Sequence, residues 1–191
     1  MRTGSGSLPQ ANSSVSPAAS ELRALFLVGF MGAGKSTVGE ALAEILGWAF
    51  EDLDQRIERR TRLTIEQIFQ QQGEAGFRQA ETSALRELLD ELNGQHKVIA
   101  LGGGAFVQAE NAELIRAARL PTVFLDAPVD ELFQRCQRQG SQRPLRRDAG
   151  QFRQLYEARQ PFYACAEWRI DTSGKNISAI AAEIAANLKL R

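Results

Sequence analysis

Three glycines, a lysine and two hydroxyl residues fall within the nine residues "GFMGAGKST", Gly29 to Thr37. Gly29, Gly34, Lys35 and Ser36 match G-x-x-x-x-G-K-[ST]. Glycine lets a backbone fold so that several N–H groups converge at the positive end of the following helix, where an oxyanion is stabilised with little reorganisation. The amides of Gly32, Ala33, Gly34, Lys35, Ser36 and Thr37 are the candidate cradle for a triphosphate. Lys35 would reach its β- and γ-phosphates, and the Ser36 hydroxyl would take one position on Mg²⁺. The alternative, a flexible turn with a solvated lysine, does not explain why the octapeptide and both flanks agree.

A nucleotide site of this kind needs a donor and an acid for the metal. The chain has no N-K-x-D element of the guanine-specific type, which favours ATP. Two aspartates compete for the metal. Asp126 ends "TVFLD" and has the look of a second Walker element, and Asp52 closes "WAFED". On pattern alone Asp126 has the stronger claim. In "EDLDQ", however, Asp52 and Asp54 are two apart and would share a side if the segment is extended. One would then serve the metal's water shell and the other an acceptor hydroxyl, unless Asp54 merely caps the next helix.

Other charges and glycines add to the set. In "GEAGFRQAE", Arg78 has Glu74 at i−4 and Glu81 at i+3, spacings that also suit ordinary surface ion pairs. Gly102, Gly103 and Gly104 leave the end of "KVIALG", the sheet edge where ligands bind in parallel α/β folds. A simple strand exit needs one glycine, not three.

The elements that must position these groups alternate. Apolar runs at 24–29, 48–52, 97–102, 121–126 and 167–172 read as buried strands. Helical periodicity occupies 35–46, 64–92, 109–119, 128–138, 151–165 and 176–190. This predicts an α/β domain with a five-stranded parallel sheet and helices on both faces. The stretch 53–93 is helical and longer than a crossover needs, and the arginine-rich 137–150 has no core-forming period.

Bulk composition narrows the function. A chain of 191 residues, 43% hydrophobic, supports one core and one domain. With 23 basic and 23 acidic residues the net charge is zero, which disfavours nucleic acid or an anionic membrane as a partner. The longest apolar runs fall short of the roughly 18 residues a membrane span requires. Cys136 and Cys165 form no CxxC and read as buried thiols of a reducing compartment, and His96 is the sole histidine. Residues 1–20, rich in Ser, Pro, Gly and Ala, read as a disordered extension without the apolar region of a secretory signal.

The elements "GFMGAGKSTVG", "FEDLD", "IEQIFQQQGEAGFRQAE", "ALGGGA", "QRPL" and "ARQPFY" follow one another between Leu25 and Ala164. In that order the chain resembles the shikimate kinases. The resemblance implies a P-loop kinase fold with sheet order 2-3-1-4-5, a substrate-binding helical region over 53–93 and a lid over 137–150. It implies transfer of the γ-phosphoryl of MgATP to the 3-hydroxyl of shikimate by a cytoplasmic monomer. Carried over by position, it makes Asp54 the holder of the acceptor hydroxyl and candidate base, and puts Asp52 near Mg²⁺ in preference to Asp126. Arg78 and Arg159 then grip the substrate carboxylate beside Gly102, Gly103 and Gly104. Arg143 becomes the lid arginine over the phosphates, and Arg138 the one stacked on adenine.

One departure stands out. In "RTRLTIEQIF", Arg62 occupies the place of a glycine common among relatives. The rival readings are another small-metabolite kinase on the same core, acting for instance on gluconate, and a non-catalytic ATP-responsive module.

Overall fold

The structure is a computed structural model and describes residues 22–92, 94–138 and 148–190. The expected disordered extension, Arg143 and most of the expected lid lie outside these residues.

The first strand, β1 (Ala24–Val28), is buried along its whole length. A continuous apolar run of this kind belongs at the centre of a parallel sheet covered on both faces. β2 (Ala49–Asp52), β3 (Lys97–Ala100), β4 (Thr122–Asp126) and β5 (Trp168–Asp171) complete a sheet of order β2-β3-β1-β4-β5, every pairing parallel. This is the 2-3-1-4-5 order the resemblance implies. Leu25 pairs with Val98 and Val28 with Phe124, so the exit of β1 is flanked by β3 and β4.

The crossovers are α1 (Lys35–Leu46), α2 (Leu53–Thr61), α3 (Ile65–Asp90), α4 (Ala109–Ala118), α5 (Val129–Arg138), α6 (Ala149–Tyr163) and α7 (Ile177–Asn187). No helix among the described residues is long and apolar enough to cross a membrane.

The excess region contains two helices. Asp52 caps α2, its Oδ1 accepting from the N–H groups of Asp54 at 2.9 Å and Gln55 at 3.3 Å. Thr64 and Gln67 form a reciprocal capping box at the start of α3. α3 is broken at Gly73, whose φ of 69° and ψ of −173° are not helical. Between α2 and α3, Arg62 takes φ 58° and its N–H bonds back to Glu58 O. This is the left-handed position that closes many helices and favours glycine. The departure therefore falls where a side chain is strained.

The cysteine expectation divides. Cys136 is buried on α5, but Cys165 is exposed. α6 is capped at Ala164, so Cys165 lies beyond its last packed turn.

Candidate active site

The loop after β1 turns sharply into α1. At Gly32 (φ +81°) an added β-carbon would come within 2.5 Å of Leu132 O and 2.9 Å of Cys136 Sγ. The loop is thus pressed onto α5 at a point where only glycine fits. Gly34, also left-handed at φ 85°, is the N-cap of α1, whose first residues are Lys35, Ser36 and Thr37. Lys35 Nζ donates to the carbonyls of Gly29 at 2.9 Å and Phe30 at 3.1 Å. Burial lowers its pKa from the ordinary lysine value, and the carboxylates of Asp54 and Asp52 partly offset that.

Ser36 Oγ donates to Asp52 Oδ2 at 2.6 Å. One carboxylate therefore joins α1 to α2, one oxygen on the serine and the other capping α2. This corrects the expectation of an extended segment around Asp52 and Asp54. Asp52 ends β2, while Asp54 stands in the first turn of α2 and is not its cap.

Asp126 is directed elsewhere. Its Oδ2 accepts from Arg169 Nε at 3.0 Å and Nη2 at 2.6 Å, and its Oδ1 accepts from Tyr156 at 3.2 Å and Ala127 N at 3.0 Å. Pattern alone prefers Asp126, but of the two aspartates it is Asp52 that faces Ser36 and lines the cavity beside the phosphate loop, while Asp126 faces β5 and α6. Ser36 and Asp52 supply hard oxygen donors of the kind that suit Mg²⁺, an ion that keeps water and phosphate in its shell.

A cavity of about 220 Å³ is lined by Gly32, Gly34, Lys35, Ser36, Thr37, Asp52 and Asp54. Ala33 is buried behind it, its N–H donated to Phe30 O at 3.2 Å. A second cavity of about 520 Å³ is lined on its polar side by Asp54, Arg78, Glu81, Arg159 and Gly102 to Gly104. Phe69, Phe77, Ile65 and Leu155 supply its apolar wall. Met31, Asp54, Gly102 and Gly103 line both cavities, so Asp54 stands where they meet. Arg138 ends α5, exposed, and lines neither.

The glycine run now has a steric cause. A β-carbon on Gly102 would lie 2.5 Å from Asp54 Oδ1 and 3.1 Å from Glu81 Oε1, and one on Gly104 would strike the Arg78 guanidinium. The run lets acids and a base from α2 and α3 close onto the end of β3. Gly103 has a different task, since its carbonyl accepts from Arg159 Nη1 at 3.2 Å.

Arg78 makes both ion pairs its spacing allows, to Glu74 at 3.3 Å and Glu81 at 2.9 Å, and also lines the second cavity. The ion-pair spacing is realised, and the same side chain also lines the second cavity. Glu81 is wholly buried, accepts from Arg78 and Gln108, and its Oε1 has no hydrogen-bond partner among the described residues. Burial pushes its pKa up to about 7, against the pull of Arg78. Sequence spacing marks Glu81 as an ion-pair partner only, because nothing local signals that the position is buried against Gly102.

A phosphate loop at the end of a central strand, opening onto a second cavity with one acid at the junction and two guanidiniums beyond it, defines a P-loop phosphotransferase for a small anionic acceptor. The comparisons narrow that class. The family model described as shikimate kinase matches residues 31–189. The shikimate kinase of Persephonella marina is 36% identical over 168 residues, covering 88% of this chain and all of that protein. That of Geobacter metallireducens is 40% identical over 177 residues, covering 91% and 96%. The solved shikimate kinase from Acinetobacter baumannii, in complex with shikimate, is 39% identical with a TM-score of 0.79, covering 92% of this chain and 98% of that one. The chain belongs to the shikimate kinase family.

Proposed function

We propose that this chain transfers the γ-phosphoryl group of MgATP to the 3-hydroxyl of shikimate, giving shikimate 3-phosphate and ADP. The observation that carries the reading is the position of Asp54 on the wall shared by the two cavities. An acceptor hydroxyl held there faces a terminal phosphate held by Lys35.

In this reading the amides of Gly32 and of Gly34 to Thr37, with the Lys35 ammonium, hold the triphosphate, while the Ala33 N–H stays on Phe30 O and braces the loop. Ser36 and Asp52 would hold Mg²⁺, which neutralises phosphate charge when bound. Arg78 and Arg159 clamp the acid's carboxylate, since a guanidinium pairs with a carboxylate through two parallel hydrogen bonds and fixes its orientation. Asp54 aligns the hydroxyl and accepts its proton as the new P–O bond forms and the bond to ADP breaks. Most of the rate enhancement then comes from positioning and charge neutralisation. The region 53–93 is the substrate-binding arm.

Coupled measurement of ADP release with shikimate, gluconate and AMP in parallel tests the proposal. Turnover with shikimate, abolished in Asp54→Ala, is expected. Turnover with gluconate or AMP in its place, or none with any acceptor, would overturn it.

A further inference from the structure

The segment "ARQPFY" contributes Arg159 to the second cavity, and its last residue has as yet no part in the chemistry. Tyr163 lies on α6 one turn beyond Arg159 and is fully buried, the largest side chain so placed among the described residues. A phenol hydroxyl taken out of water is costly unless it finds an acceptor. The acceptor here is the Gly103 carbonyl oxygen, the same atom that accepts from Arg159 Nη1 at 3.2 Å. The ring is held as well, stacked on Phe124 of β4 with centroids 5.4 Å apart and planes 29° apart. Arg159 is itself placed over the buried Phe30 ring, 5.9 Å from its centroid.

We propose that Tyr163 is a positioning residue for the acid substrate: its hydroxyl, by donating to the Gly103 carbonyl, sets the direction of the Gly103–Gly104 peptide and of the Arg159 guanidinium beside it. The inference rests on the carboxylate-binding role given above to Arg159.

A carbonyl oxygen has two lone pairs, and the two donors from one face of α6 use them together. The peptide unit is planar, so fixing the Gly103 oxygen also fixes the direction of the Gly104 N–H. Gly103, Gly104 and Arg159 all line the second cavity. Glycine residues supply no side-chain packing to hold that peptide still, which leaves its orientation to hydrogen bonds. Burial pushes the Tyr163 pKa up to about 12, so the hydroxyl keeps its proton and remains a donor over the working range of the enzyme.

The test is steady-state kinetics on the full chain and on Tyr163→Phe, Arg159→Ala and the double variant, varying shikimate and MgATP separately, with thermal unfolding of each. Tyr163→Phe keeps the ring and its stacking and removes only the donor. It is expected to raise the KM for shikimate about tenfold, the worth of one well-placed hydrogen bond. The KM for MgATP and the Tm should stay close to those of the parent. In the Arg159→Ala background the same change should add less than about twofold, because the two residues act through one oxygen.

An unchanged shikimate KM in Tyr163→Phe, with Arg159→Ala raising it, would overturn the inference and leave the proposed function standing. So would a rise in both KM values accompanied by a lowered Tm, or full additivity in the double variant. An unchanged KM in Arg159→Ala would instead overturn the role of Arg159.

Discussion

The Arg78 guanidinium lies across the backbone of Gly104, where an added β-carbon would come within 2.7 Å of Nη2 and 2.9 Å of Cζ. No side chain fits there unless the arginine leaves. Arg78 is held on its other side by Glu74 and Glu81, so a displaced guanidinium also loses charged hydrogen bonds.

Gly104→Ala should therefore raise the KM for shikimate by about tenfold or more, the cost of about one charge-assisted hydrogen bond. Because the displaced guanidinium leaves buried Glu81 without its charged partner, a loss of stability of about 1.5–3 kcal/mol should accompany it. Kinetics with each substrate varied, together with a melting curve, separates the two effects. A fall in stability with an unchanged KM would show that Gly104 serves the fold alone.

Asp52 has two duties that substitution can divide. Asparagine is as good a cap as aspartate but is a poor partner for a metal's shell. Asp52→Asn is expected to keep stability within about 0.5 kcal/mol and to shift the Mg²⁺ dependence of turnover to higher concentration. Asp52→Ala should lose about 1 kcal/mol in addition. Equal Mg²⁺ dependence in parent and asparagine variant would remove Asp52 from the metal's surroundings.

Arg62 adopts a left-handed conformation that costs a side-chain-bearing residue about 1 kcal/mol. Arg62→Gly should raise unfolding stability by up to that amount and leave both KM values and kcat as they are. Urea titration reads the first and the coupled assay the second. A destabilised variant would mean that the side chain makes a contact worth more than the strain.

The pH dependence of stability should carry the mark of Glu81. Its folded pKa, about 7, lies above the ordinary carboxyl value of 4.5. Between those values the folded protein retains a proton that the unfolded chain releases, so this group's contribution is full below about pH 4.5 and is lost as pH rises through 7. Burial sets the shift, Asp54 adds to it, and Arg78 and Arg159 oppose it. Glu81→Gln should flatten the decline, leaving the variant less penalised at pH 8 than at pH 5 by on the order of 2 kcal/mol. Urea unfolding at the two pH values checks it, and parallel slopes for parent and variant would refute the assignment.

Contiguous features were legible before any fold was known. The phosphate loop spans nine residues, and its glycines, ammonium and hydroxyl act through local backbone geometry, so its pattern and its structure coincide. The alternation of buried runs and amphipathic stretches defines the parallel sheet for the same reason. β1, β3 and β4 are buried throughout as their apolar runs predict, whereas β2 and β5, expected to be buried too, lie at the sheet edges and are largely exposed or half-buried. The left-handed turn at Arg62 was visible only as a departure from relatives, because the side chain does not announce the φ it is made to adopt.

What the chain alone determined was thus the nucleotide cradle and the order of strands and helices, since both depend on neighbours in sequence. The tertiary structure decided which aspartate meets Ser36. Asp52 and Asp126 both end strands, but Asp126 is drawn to Arg169 and Tyr156 while Asp52 faces the start of α1. It likewise brought Glu81 of α3 and Tyr163 of α6 onto the glycine run. Charges and hydroxyls 21 to 60 residues from their partners meet only when the sheet has set the helices side by side, and no local pattern encodes that distance.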